Sequence, residues 1–131
     1  MTTTIKEVTQ MNRLPVESFH TILPCRRWDA CVSFYRDVLG FEAVDIRPGF
    51  IEVEVAPGSR LGMLRRTKCD DPESRNDSVI LTFRVGDVDK IHNILSARCE
   101  EISQVKPHPW GARLFELRDP EGRRLEFWTP Q

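Results

Sequence analysis

The chain contains three histidines, His20, His92 and His108. Imidazole and carboxylate groups brought together can act as general acid and base, or ligate a divalent metal. His20 precedes Thr21-Ile22-Leu23-Pro24-Cys25, and Glu126 lies within Arg124-Leu125-Glu126-Phe127-Trp128. Both segments read as strands, in which alternate side chains share a face. In the first, Thr21, Leu23 and Cys25 pack inward and leave His20, Ile22 and Pro24 on the open side. In the last, Leu125 and Phe127 pack and leave Arg124, Glu126 and Trp128. His20 and Glu126 are therefore the candidates for metal ligation or catalysis, on faces that could converge. A catalytic zinc takes three protein ligands, and a non-haem iron takes two histidines and a carboxylate. Glu52, Glu54 or His108 would have to complete either set.

Plainer roles compete with these. His20 can be a pocket histidine bonded to a neighbour. Glu126 can pair with Arg84, Arg113 or Arg124, since an unpaired buried carboxylate is costly. His92, in mid-helix, faces solvent or is satisfied in the core. His108, between Pro107 and Pro109, falls in a loop that rims a cavity or simply lies on the surface. Ligand pockets are mostly apolar with few polar anchors, which makes Arg84, Trp110, Trp128 and Ile80 the candidate substrate-binding residues. A guanidinium at position 84 can fork onto a carboxylate or phosphate, or can pair with Glu126. The two tryptophans can be ligand walls or ordinary packing. Trp28 is expected to cap the helix–sheet core, and Met63 with Ile80 to make the hollow apolar.

The elements that must position these groups repeat. Phe19 to Cys25 reads as a strand rich in branched and aromatic residues, with Pro24 placing its end at a sheet edge. Trp28 to Leu39 carries Trp28, Cys31, Val32, Tyr35, Val38 and Leu39 at helical spacing, and Gly40 follows as terminator. Phe41–Ile46, Phe50–Val55 and Leu61–Arg65 are expected strands, punctuated by Pro48-Gly49 and Pro57-Gly58-Ser59. Residues 67–78 are polar and helix-poor, a linker. The order then restarts with a strand over Val79–Val85 and a helix over Asp87–Ala97 capped by Asp87. Strands follow over Glu101–Val105, Arg113–Leu117 and Arg124–Trp128, with Asp119-Pro120-Glu121-Gly122 as a tight turn. Laying His20 on Ile80 also lays Leu23 on Phe83, Trp28 on Val88 and Phe34 on Ile94. This internal repeat predicts an α+β fold of two βαβββ modules, each a curved sheet with its helix on the convex side. Residues 1–15 read as a flexible tail and 16–130 as one domain, with modules at 16–66 and 79–130.

Composition narrows the classes. Nineteen basic residues against twenty acidic ones leave a net charge of −1, so no electrostatic footprint points to nucleic acid or an anionic membrane. No apolar run reaches the roughly 18 residues a membrane helix needs. The opening segment lacks the apolar core of a signal peptide. Four cysteines without metal-type spacing are expected as reduced thiols in a cytoplasmic protein.

The run from His20 to Phe41, ending Ser33-Phe34-Tyr35-Arg36-Asp37-Val38-Leu39-Gly40-Phe41-Glu42, resembles the opening module of vicinal oxygen chelate proteins. These include glyoxalase I, bleomycin-resistance proteins and extradiol dioxygenases. Pro109-Trp110-Gly111 and Asp119-Pro120-Glu121-Gly122-Arg123-Arg124-Leu125-Glu126-Phe127 are similar to their closing strands. The resemblance implies the glyoxalase/bleomycin resistance/dihydroxybiphenyl dioxygenase-like fold, half-barrel sheets and a homodimer. In metal-using members, His or Glu ligands come from the first, fourth, fifth and eighth strands. His20 matches the first position and Glu126 the last. Ile80 stands at the fifth, and Leu61-Gly62-Met63-Leu64-Arg65 offers nothing at the fourth. The leading expectation is a metal-free protein of bleomycin-resistance type, binding a small organic molecule in an apolar cleft with Arg84 or Glu126 as anchor. The alternatives are a lyase, isomerase or dioxygenase using a divalent metal (Zn, Ni, Mn or Fe) at His20 and Glu126, and a non-catalytic interaction module with a filled cavity.

Overall fold

In each half of the chain the same alternation of apolar and polar residues builds a four-stranded sheet whose inner face packs on a helix. The structure is a computed structural model that describes residues 13–66 and 79–131. The expected linker at 67–78 lies outside the described residues, as does most of the expected tail. The first half runs β1 (Thr21–Cys25), α1 (Trp28–Ser33), β2 (Glu42–Arg47), β3 (Phe50–Ala56) and β4 (Ser59–Arg65). The second runs β5 (Ile80–Arg84), α2 (Val88–Ser96), β6 (Lys106–His108), β7 (Ala112–Arg118) and β8 (Arg124–Pro130). The sheets are ordered β1-β4-β3-β2 and β5-β8-β7-β6. In both, the first strand pairs in parallel with the fourth, Thr21 opposite Leu61 and Leu81 opposite Leu125. The repeat seen in the sequence is thus a repeat of topology and register.

Three local readings change. The first helix does not stay α-helical to Leu39: it passes into a π-helical turn over Phe34–Val38, with the Leu39 amide donating to the Phe34 carbonyl. The wider turn falls where two consecutive aromatics pack edge to face, and Tyr35 is wholly buried. The sixth strand is not Glu101–Val105, which keeps only a bridge from Ile102 to Leu117; it is Lys106–His108, so His108 lies in a strand. Pro107 is tolerated there because β6 is an edge strand. Met63 does not line the hollow. Its register opposite Leu23 turns it toward α1, where it is fully buried.

The core is one apolar cluster spanning both halves, including Leu23, Tyr35, Val53 and Met63 from the first and Val88, Phe115, Leu125 and Phe127 from the second. A ladder of rings crosses the junction: Phe41 to Phe83 at 5.9 Å, Phe83 to Phe127 at 4.9 Å, Phe127 to Phe115 at 5.3 Å. Polar groups clamp the same junction. The β7–β8 turn directs Glu121 back to the end of β1, where its carboxylate accepts from the amides of Arg26 (3.0 Å) and Arg27 (2.8 Å). The Tyr35 hydroxyl donates to Asp119 at 2.8 Å, and Arg123 donates to Asp119 at 3.1 Å and to the Pro24 carbonyl. Burial, then the Asp119 charge, pushes the Tyr35 hydroxyl upward. Cys25 and Cys31, both free and buried, sit against this clamp. Hydrogen bonding between these two thiols lowers Cys25, helped by the Arg123 charge, and raises Cys31.

Candidate functional site

His20 sits one residue before β1, and its ring meets β3 across β4. Its Nδ1 lies 3.1 Å from Glu52 Oε2, while Glu52 Oε1 accepts from Arg60 at 3.2 Å. Arg60 also reaches Glu54 at 3.8 Å. The bond to His20 foremost, and Arg60 as well, hold the Glu52 carboxyl below its ordinary range despite the cost of desolvation. Two of the residues considered as a third metal ligand, Glu52 and Glu54, are thus committed to other partners.

Glu126 sits in β8 opposite Thr82 on one side and Glu116 on the other. It pairs with Arg124 at 2.8 Å, and Arg124 also meets Glu116. Of the three arginines weighed as its partner, Arg124 is the one that pairs. Arg113 instead meets Asp89 at 2.9 Å, and Arg84 lies over the Trp128 ring, 5.5 Å from its centroid. Trp110, itself well exposed, stands edge-on to Trp128 at 5.6 Å. His92 fastens α2 to the Ser103 carbonyl at 2.9 Å with its ring against Phe115. Trp28 donates to the Met63 carbonyl at 2.9 Å, in its expected place at the edge of the core.

His20 and Glu126 therefore stand in different sheets, each tied to partners in its own half. Among the described residues, no three His, Cys, Asp or Glu side chains are grouped so as to hold a metal. The fourth-strand position has a physical reason for its lack of a side chain. Gly62, opposite Ile22 as Glu126 is opposite Thr82, lies directly under the Phe50 ring. A Cβ there would meet that ring at 2.7 Å.

A cavity of about 510 Å³ opens where the free edge of β1 comes near that of β5. Its walls combine Phe41, Val55 and Leu61 from the first half with Leu81, Phe83 and Phe127 from the second. Ile80 and Arg84, named from the sequence, belong to this wall; Trp110, Trp128, His20 and Glu126 do not. The apolar walls were not singled out from sequence because they are also core residues of their strands. The terminal places of β1 and β5 in their sheets leave both edges free to frame a space.

Three comparisons bear on this geometry. The family model described as Glyoxalase/Bleomycin resistance protein/Dioxygenase superfamily matches residues 18–127. Among solved structures, a glyoxalase/bleomycin resistance protein/dioxygenase from Nocardioides superposes with a TM-score of 0.75 at 22% identity, covering 94% of this chain and 89% of that one. A bleomycin-binding protein from Streptomyces verticillus, complexed with copper(II)-bleomycin, gives 0.69 at 24% identity, covering 90% and 99%. A lactoylglutathione lyase from Agrobacterium tumefaciens gives 0.67 at 25% identity, covering 88% and 96%. Among curated proteins, no sequence matches.

Proposed function

The chain belongs to the glyoxalase/bleomycin resistance protein/dioxygenase superfamily, and from that membership we propose that it binds a small organic molecule in the cavity between its two modules, without a resident metal. The observation that carries the reading is the cavity itself. At about 510 Å³, lined by rings and aliphatic side chains with Arg84 in its wall, it falls within the roughly 300–1,000 Å³ typical of ligand sites. An open cavity of this kind also favours binding over a filled interaction module.

The divalent metal used by some members does not fit the residues present. Ile80 replaces one ligand, and the Phe50 ring covers the place of another at Gly62. Arg60 and Arg124 neutralise the nearest carboxylates, Glu52 and Glu126. A dication at either would have to displace a guanidinium. Pairing of two copies is part of this reading. Ile22 and Leu64, on adjacent strands at the open face of the first sheet, are 53% and 43% exposed, and a second copy would cover them. Among the described residues no helix is long and apolar enough to cross a membrane.

The test is metal analysis of protein purified without a polyhistidine tag, together with a thermal-shift screen of small organic compounds. The expected result is no stoichiometric transition metal and at least one compound class that raises the melting temperature progressively, with the logarithm of its concentration. About one metal per chain, lost in His20→Ala and Glu126→Ala, would overturn the reading in favour of a metal-dependent lyase, isomerase or dioxygenase.

A further inference from the structure

We propose that the cavity between the modules takes a neutral ligand, a flat aromatic body carrying one uncharged polar group, and that Thr21 reads that group through its hydroxyl. The inference rests on the small-molecule-binding reading above and names the ligand class.

Strand parity decides which side chains face the cavity, since alternate residues of a strand share a face. On β5, Leu81 and Phe83 lie opposite Leu125 and Phe127 of β8, on the face that packs into the core. On β1, Thr21 lies opposite Leu61 of β4 and alternates onto the same face as the buried Leu23 and Cys25. Thr21, Leu61, Leu81, Phe83 and Phe127 all line the cavity, which therefore continues the core face of both sheets. The charged side chains at its border belong to the other face. Arg84 lies opposite Trp128, with its guanidinium over that ring. Arg60 alternates with Leu61 and is held by Glu52 at 3.2 Å and Glu54 at 3.8 Å. Among the described residues no carboxylate lines the cavity. An ion of either sign placed there would be desolvated without a partner, which is costly.

Two polar side chains of core-face parity remain, Thr21 and Ser59. Ser59 is exposed beside the Gly58 turn, whereas Thr21 is half-buried. The Thr21 hydroxyl has no hydrogen-bond partner among the described residues. A hydroxyl both donates and accepts, so it can serve a phenol, a ketone or an amide. The rings set the body of the ligand. Phe41, Phe83 and Phe127 run in a ladder at spacings of 5.9 and 4.9 Å, and rings pack best on other rings in offset or edge contacts. Phe19, two residues before Thr21, also lines the cavity and is 85% exposed. A bound aromatic molecule would cover a ring that the protein alone leaves in water.

Equilibrium dialysis of the intact protein at pH 7 with 2-naphthol, the isosteric 2-methylnaphthalene, 2-naphthoate and 2-naphthylmethylammonium tests this. The naphthol is expected to bind about fivefold tighter than the methyl compound, the worth of one neutral hydrogen bond. Both ions should bind at least about tenfold more weakly than the naphthol. Thr21→Val keeps the branched shape and should bring naphthol and methylnaphthalene to within about twofold of each other. Phe19→Ala, at an exposed position outside the core, should weaken both neutral compounds about threefold and keep the naphthol preference. A naphthoate or ammonium compound bound as tightly as the naphthol would overturn the neutral class while leaving the cavity a binding site. A naphthol preference that is missing in the unaltered protein, or that survives Thr21→Val, would overturn the role of Thr21. Affinities indifferent to Phe19→Ala would overturn the placement of the ligand in this cavity. No binding of any of the four would overturn the small-molecule reading along with it.

Discussion

Replacing Arg123 by methionine isolates what holds the two halves together. The Arg123 and Asp119 side chains are 4% and 0% exposed, and their ion pair at 3.1 Å bridges nothing but protein. In Arg123→Met the aliphatic volume is nearly kept, so no large cavity forms. Asp119 keeps its bonds from the Tyr35 hydroxyl (2.8 Å) and from the amides of Glu121 and Arg123 (2.9 Å each). It loses its counter-charge, and the Pro24 carbonyl loses its donor. Removing one partner of a buried pair costs about 3–5 kcal/mol. The three surviving hydrogen bonds place this case near the lower end, at about 3 kcal/mol. For a chain of this length that lowers the melting temperature by roughly 10–15 °C. Urea unfolding followed by circular dichroism and by tryptophan emission should show the loss as a shift in midpoint with an unchanged slope. If the orphaned charge is the cause, adding Asp119→Asn to Arg123→Met should recover part of the loss, a coupling a double-mutant cycle can read. A loss below about 1 kcal/mol in the single variant, or no recovery in the double, would refute the argument.

Two further outcomes follow from the same residues and their neighbours. Burial alone would raise the Glu121 carboxyl, but the amides of Arg26 and Arg27 and the Arg26 guanidinium outweigh it and hold the group below its ordinary range. Its contribution is therefore complete above the unfolded-state value and fades as pH falls through the folded one, so Glu121→Gln should destabilise at pH 7 and progressively less toward pH 3 in urea titrations. Asp87 accepts from the Lys90 amide at 3.2 Å at the start of α2, and Asp87→Ala should cost about 1 kcal/mol by the same measurement.

Much of this fold was legible because its signals are local and occur twice. Helical spacing from Trp28 and from Val88, and glycine–proline turns between alternating runs, mark the same elements in both halves. The errors arise where a local preference yields to pairing. Lys106-Pro107-His108 is a poor strand by composition, yet β7 offers it a partner edge and Pro107 need not donate. Met63 was assigned to the wrong side because the parity of β4 is fixed by its parallel register with β1, which no spacing within β4 reveals. For the site, Arg84 and Ile80 were reachable from the alternation within β5. Glu52 was recognisable as a carboxylate near the site, but its role as partner of His20 and Arg60 depends on three strands being in register. The Asp119–Glu121–Arg123 clamp read only as a turn, since its partners lie in the other half of the chain.

The duplicated register separates what the architecture requires from what the function has changed. Glu52 lies opposite Gly62 as Glu116 lies opposite Glu126, and each of these β3 and β7 carboxylates meets an arginine of the adjacent strand, Arg60 or Arg124. A pair present at equivalent places in both sheets serves the sheet, and it accounts for the carboxylates without any ligand. The halves diverge beside it. His20 corresponds to Ile80, and Gly62 to Glu126, so each half retains one of the two groups a symmetric metal shell would take from it. Pro24, beside Leu64, corresponds to Arg84, beside Trp128. The position that adds charge and a ring in the second half is apolar and without a side-chain donor in the first. The halves therefore differ by an asymmetry, the Arg84 guanidinium over the Trp128 indole, set against a frame that they otherwise share.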